Sequence, residues 1–366
     1  MFFLARKNLF AEKTRLLISI GGVAFSVLMI LVVGGLYRGW QIRITEFVDS
    51  VDTDLWVAAK GTGDMSHSIS LLPANLRDDL EAVRGVASAE EFIGRTMLFE
   101  HDGDESRLMI VGFNPDTGKS GPLRMVSGTK KIRDGEIIVD RAYVQKTDAA
   151  LGHTITIAGK DLIIRGISTG GNMLVYQYAF VTKETAREVL QLGDFTNYYL
   201  VKTVSPELVA DRIKDQFPNL TTFTKEEFSE ENKKVITETF LPIIGVLLVI
   251  SFLTGVAIVG LTIYTATVEK SREYGVLKAI GTTNWQLYKV ILAQSFMAGA
   301  IGSVFGMILA FGVSFLAEYV VAGFITTILP IDLALVFGAA MGMAFLGAWI
   351  PTRRIAKIDP ALVFKA

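Results

Sequence analysis

The sequence predicts an α-helical membrane protein with four transmembrane helices and one large α+β extracytoplasmic domain. Two observations carry this. Apolar residues are 51% of the 366 and gather into four uncharged blocks. A long segment of ordinary mixed composition, 41–238, separates the first block from the other three.

About 20 apolar residues cross the roughly 30 Å hydrocarbon core of a bilayer. Leu16–Leu36, Phe240–Val268, Val290–Ala317 and Leu333–Thr352 meet that length without a charge. With their flanks, the expected spans are 16–40, 239–268, 290–317 and 333–352. The first block is too long for the apolar core of a cleaved signal peptide, and Gly34, Gly35, Leu36, Tyr37, Arg38 makes a poor cleavage site.

Orientation follows from the basic flanks. Arg6, Lys7, Lys13 and Arg15 precede the first span, Lys270, Arg272, Lys278 and Lys289 join the second and third, and Arg353, Arg354, Lys357 and Lys365 follow the fourth. The short loop 318–332 holds no Lys or Arg. Both termini and the 269–289 connection are thus expected in the cytoplasm, with 41–238 outside. Ala298, Gly302, Gly306 and Ala310 form a small-residue stripe on the third span, and Gly338 and Gly342 lie on the fourth. Such residues let helices approach closely, within the subunit or at a dimer seam.

In the outer segment, Leu72–Val83 reads as a helix, with Leu76, Leu80 and Val83 on one face and Gly85 at its end. Apolar runs follow at Thr96–Phe99 and Arg107–Val111. A similar unit recurs at the other end: Tyr198–Lys202 is strand-like, Glu207–Gln216 helical behind Ser205 and Pro206, and Leu220–Phe223 a short strand. The expectation is two β/α halves related by a weak repeat. Between them lie strand-like runs Glu136–Val139, Thr154–Ala158, Asp161–Ile167 and Leu174–Val181, with a hairpin turn at Ala158–Asp161.

Several chemistries are disfavoured. Net charge is −1, giving no global electrostatic basis for a nucleic-acid partner. The absence of cysteine excludes disulfides and thiolate sites. Gly112–Ser120 resembles a phosphate-binding loop, but its spacing is one residue too long and Gly121–Pro122 stands where a helix should begin. It reads as a turn. His67, His101 and His153 are too scattered for a metal site. No catalytic residues and no metal ligands are expected.

Three local patterns resemble the FtsX/MacB/LolC-type permeases of ABC transporters. The first is Leu4–Leu9 with Lys13–Leu17, similar to an amphipathic N-terminal helix (1–15) running into span one; Phe2, Phe3, Leu9 and Phe10 suit the interface, with Arg6 and Lys7 at the phosphates. The second and most specific is Val268–Gly281, where Glu269 and Glu273 lie one turn apart beside Arg272, and Val276, Leu277 and Ile280 make an apolar patch. Gly281 suits a helix end, and Thr282–Tyr288 is expected as a short coupling helix. The third is Ile350–Leu362, a proline-bounded basic turn with Asp359–Pro360, in a cytoplasmic tail 353–366. Ile110–Pro115 is similar to the outer domain of the DevC-like branch.

The resemblance implies a MacB-like outer domain and a non-catalytic permease subunit of the bacterial inner membrane, with no fused ATPase. It implies a homodimer of permeases clamped by two ABC ATPase subunits, which carry ATP and Mg, together with membrane lipid and a periplasmic adaptor. Glu269, Arg272, Glu273, Gly275, Lys278 and Gly281 would couple to the ATPase. The cargo class is amphiphilic: lipid, lipoprotein, haem or peptide. An HrtB-like haem efflux reading rests on Tyr37, Trp40, Glu46 and Phe47, where Tyr37 and Glu46 offer oxygen ligands and the rings stack; an interfacial aromatic belt is the other reading. The alternative function is FtsX-like mechanotransmission to an extracytoplasmic partner.

Overall fold

A computed structural model describes residues 13–65, 68–101, 104–170, 176–321 and 324–356. Most of the amphipathic segment 1–15, His67, and the Asp359–Pro360 end of the C-terminal pattern lie outside these residues. The chain divides into two compact units, one built from the apolar helices and one from 39–239.

The helical unit rests on α1 (Lys13–Ser50), α6 (Lys225–Glu269), α8 (Asn284–Val320) and α9 (Pro330–Ala356). All four are long and apolar enough to cross a membrane. Their ends differ from the expected spans because helix outlasts apolarity. α1 runs to Ser50 rather than stopping near 40, and α6 begins at Lys225 rather than 239. The start of α6 is fixed by a reciprocal cap: the Thr224 amide donates to Glu227 Oε2 at 2.8 Å, and the Glu227 amide to Thr224 Oγ1 at 3.1 Å.

Small residues set the helix packing. A Cβ on Gly302 would lie 2.8 Å from Val23 Cβ, and one on Gly306 only 2.6 Å from the Ala24 carbonyl, so the α8 stripe seats α1. Gly347 of α9 lies against Val259 and Gly260 of α6 in the same way. Ser295 Oγ donates to the Ala344 carbonyl at 2.6 Å, joining α8 to α9. The α8 stripe therefore serves packing within the subunit. Gly338, by contrast, has no neighbour within 4 Å of its Cβ position.

The second unit is a ten-stranded mixed sheet. Its strands are β1 (Leu55–Ala59), β3 (Val86–His101), β4 (Asp104–Phe113), β5 (Arg124–Gly128), β6 (Glu136–Asp140), β7 (Thr154–Ile157), β8 (Lys160–Thr169), β9 (Gln177–Thr182), β11 (Tyr198–Thr203) and β12 (Leu220–Thr224). The order is β12-β1-β11-β3-β4-β9-β6-β8-β5, with β7 paired to β8; β2 (Leu72–Pro73) pairs with β10 (Phe195–Thr196) apart from it. Short helices α2 (Leu76–Glu81), α3 (Arg141–Thr147), α4 (Lys183–Val189) and α5 (Pro206–Gln216) cover it.

Two expectations need correction. Leu72–Val83 is not one helix: Leu72–Pro73 pairs as a strand, and only Leu76–Glu81 is helical, because Pro73 favours extended backbone before it. Nor are there two separate β/α halves with strands between. The 16-residue β3 pairs with β11 and with β4, so one sheet carries two cores. One holds Leu55, Val57, Tyr199, Val209 and Ile213; the other holds Ile110, Ile137, Val139, Ile164 and Val181. The β7–β8 hairpin turns on Ala158 (φ 52°) and Gly159 (φ 77°), the left-handed pair that a two-residue turn requires.

Candidate functional site

The junction between α6 and α8 is built from two opposed helix-end devices. α6 stops at Glu269, and Lys270 leaves helical geometry (ψ 12°) before α7 (Ser271–Ala279) begins. At the far end of α7, Gly281 takes φ 99°, its amide donating to the Lys278 carbonyl and the Thr282 amide to that of Leu277, both at 3.0 Å. This is the six-to-one, five-to-two closure for which glycine is favoured. Immediately after, the Thr283 amide donates to Gln286 Oε1 at 3.0 Å, and the Gln286 amide returns to Thr283 Oγ1 at 3.4 Å. That reciprocal cap starts α8 at Asn284.

The expected short helix over Thr282–Tyr288 is therefore corrected. Thr282 and Thr283 are the turn, and residues from Asn284 onward belong to the long third helix; the short helix of this junction is α7. The same interruption means that Glu269 and Glu273 do not share one continuous helix.

The candidate residues divide by burial. Gly275 is buried beside Tyr274, which is 3% exposed and lines a cavity of about 40 Å³ with Arg15, Ser19, Ala266, Lys270 and Gln294. Arg15 forms an ion pair with Glu269, a pairing of the first-span flank with the end of α6 that sequence spacing does not disclose. Lys278 is half-buried, and burial lowers its pKa. Arg272 and Glu273 are exposed, as are Val276, Ile280 (74%) and Trp285. α7 thus turns Tyr274 and Gly275 inward and leaves a mixed charged and apolar face open. The T-x-x-Q cap at 283–286 was legible as a motif.

The outer candidate residues do not converge. Phe47 is 1% exposed, with its ring centroid 4.8 Å from Tyr178, 5.9 Å from Phe180 and 6.1 Å from Phe92. No face of it is free to stack on a porphyrin. Trp40 is also buried. Glu46 is paired with Arg43 and, at 3.2 Å, with Arg124. Tyr37 and Glu46 stand nine residues apart on α1, two and a half turns, and so leave opposite faces of the helix rather than aiming at one iron.

The loop after Gly112 spends its amides internally. Asn114 Oδ1 accepts from the Asp116 amide at 2.9 Å and the Thr117 amide at 3.4 Å, and the Asn114 carbonyl from Gly118 at 2.8 Å. Lys119 pairs with Glu90. This is an Asx-type turn closed on itself, not an anion cradle. No cluster of acidic or histidine side chains suited to a metal occurs among the described residues.

Comparison with known proteins agrees with this architecture. A family model for the MacB-like periplasmic core domain matches residues 16–217, and one for the FtsX-like permease C-terminal region matches 245–360. An uncharacterized ABC transporter permease of Mycobacterium tuberculosis is 24% identical over 100% of this chain and 99% of its own. A macrolide export ATP-binding/permease protein, MacB of Acinetobacter baylyi, is 22% identical over 98% of this chain and 58% of its own. The periplasmic region of MacB from Actinobacillus actinomycetemcomitans aligns with 49% of this chain and 92% of that one, at 11% identity and a TM-score of 0.37. The chain, a multi-pass membrane protein, belongs to the FtsX-like, MacB-like family of ABC transporter permeases.

Proposed function

We propose that this permease works in an exporter, coupling ATP hydrolysis on separate ATPase subunits to movement of a hydrophobic or amphiphilic substrate at the outer side of the membrane. The observation that carries this reading is α7, a short helix held between two chain breaks, with Arg272, Glu273, Val276 and Ile280 open to a partner. A mixed charged and apolar patch of this kind suits a protein interface. In the working unit, two permease copies are clamped by two ATPases that hold ATP and Mg, with both termini and the α6–α8 junction in the cytoplasm. Closure of the ATPases moves α7, and only contacts that differ between the two states transmit work. The buried position of Phe47 gives haem no advantage over lipid, lipoprotein or peptide as cargo.

A second reading is mechanotransmission to an extracytoplasmic partner. It is favoured by the helical continuity of α1 through Ser50 and of α6 from Lys225, each far longer than a bilayer needs.

The test is the double variant Glu273→Lys with Gly281→Pro. Charge reversal at an interface costs on the order of several kcal/mol. Proline fixes φ near −65°, incompatible with the 99° at Gly281. The expected outcome is a membrane-inserted permease that no longer co-purifies with its ATPase or stimulates hydrolysis. Normal co-purification and normal stimulation would overturn the role of α7.

A further inference from the structure

At one end of the helical unit, the start of α8 and the end of α9 enclose an apolar groove. Trp285, Tyr288, Leu292, Phe345, Trp349 and Thr352 line it, over a volume of about 400 Å³. Trp285 and Trp349 are 62% and 49% exposed, and the Phe345 and Trp349 rings meet at 5.8 Å in a tilted pair. Lys289 Nζ stands 5.4 Å from the Trp285 ring centroid, a cation held over an aromatic face at the rim.

Its depth identifies the environment. The uncharged stretch of α8 starts at Val290, and that of α9 ends at Thr352, so Trp285, Tyr288 and Lys289 sit at the boundary where apolar sequence gives way to polar. Leu292 and Phe345 lie a turn deeper, at acyl-chain level. Tryptophan and tyrosine at that height are usual in membrane proteins. A concave aromatic groove with a lysine at its headgroup end is more specific than a belt. Thr352 Oγ1 already donates to the Trp349 carbonyl at 2.7 Å, which leaves the floor of the groove apolar.

We infer that the groove between α8 and α9 is a binding site for an anionic glycerophospholipid, with one acyl chain against Leu292 and Phe345 and the headgroup phosphate at Lys289. Charge selects this occupant: a zwitterionic lipid fills the apolar floor equally well but gains less from the lysine at the rim.

The protein supplies its own probe. It has four tryptophans, and the two outside the groove, Trp40 and Trp56, are 8% and 0% exposed. The full chain is reconstituted into phosphatidylcholine vesicles containing a small fraction of brominated phosphatidylglycerol, or the same fraction of brominated phosphatidylcholine. Expected is preferential quenching by the anionic lipid, equivalent to roughly fivefold enrichment, the size one lysine contributes at an anionic surface. Lys289→Glu should bring the two lipids to parity, and Lys289→Arg should keep the preference. Equal quenching by both lipids in the wild type would reduce the groove to ordinary lipid contact. No quenching by either would mean that protein covers it. A preference surviving Lys289→Glu would remove Lys289 from the site.

Discussion

Asp140 illustrates how one residue can carry opposing demands. Its Oδ1 caps α3 by accepting from the Ala142 amide at 2.8 Å, while Oδ2 is buried without a hydrogen-bond partner, and the residue is 2% exposed. Burial raises its pKa from 3.8 to about 6; the Ala142 amide and the charges of Arg141 and Arg43 oppose the rise, and Glu46 adds to it. Between those two values the folded form binds more protons than the unfolded form, so stability falls as pH rises through the interval. Above pH 6 the penalty is complete, on the order of 3 kcal/mol for such a shift. Asn keeps the cap without the charge. Asp140→Asn should therefore raise the apparent Tm of the purified full chain at pH 7.5, and remove the decline expected of the wild type between pH 4 and 6. An unchanged or lower Tm at pH 7.5 would mean that the ionised carboxylate is favourably held. The sequence offers Asp140 as a helix cap but gives no sign of its cost, which arises from where β6 ends in the sheet.

At the scale of elements, Gly306 and Gly312 share α8 but not an environment. A Cβ at Gly306 would lie 2.6 Å from the Ala24 carbonyl and 2.7 Å from Val27 Cβ, whereas one at Gly312 meets nothing within 4 Å. The close atoms at Gly306 belong to backbone and a stiff β-branched side chain, so neither yields cheaply. Gly306→Leu should destabilise the α1–α8 contact by roughly 1–3 kcal/mol or more, the range of core overpacking, and Gly312→Leu should be nearly silent. Denaturation in detergent checks the pair; equal behaviour would show that the stripe does not pack α1. The four-residue spacing made this seam legible, as hydropathy made the long helices, alternation made β8, and short apolar runs made β6 and β11. The short helices α3 and α4 were not legible by period, since seven residues make barely two turns. Their caps, Asp140 and Thr182, were the available signal. The pairing of β9 between β4 and β6 could not be read at all, because it is set by crossovers and packing rather than by local pattern. The coupling segment was half legible: Gly281 as a helix end follows from its residue type, but the position of the short helix before that glycine rather than after it depends on the break at Lys270.

At the scale of the whole molecule, orientation is the claim on which the exporter reading most depends. The basic residues Lys270, Arg272 and Lys278 stand in the α6–α8 junction and Lys289 near the start of α8, and the 318–332 segment has none. Its acids are spent on neighbours: Glu318 accepts from the Thr326 amide and hydroxyl at 3.0 Å, and Asp332 from Arg38 of α1 at 2.6 Å and from the Leu329 amide at 2.8 Å. Lysine and arginine in short connections are retained on the cytoplasmic side, so 269–289 should be inside and the sheet-bearing unit outside. The protein has no native cysteine, so a single introduced thiol reports its own side. Arg272→Cys and Lys130→Cys both replace exposed residues. In intact cells a membrane-impermeant maleimide should label Lys130→Cys and spare Arg272→Cys until the membrane is broken. Labelling of Arg272→Cys from outside would invert the topology. An ATPase could then not reach α7, and its exposed face would have to serve an extracytoplasmic partner instead.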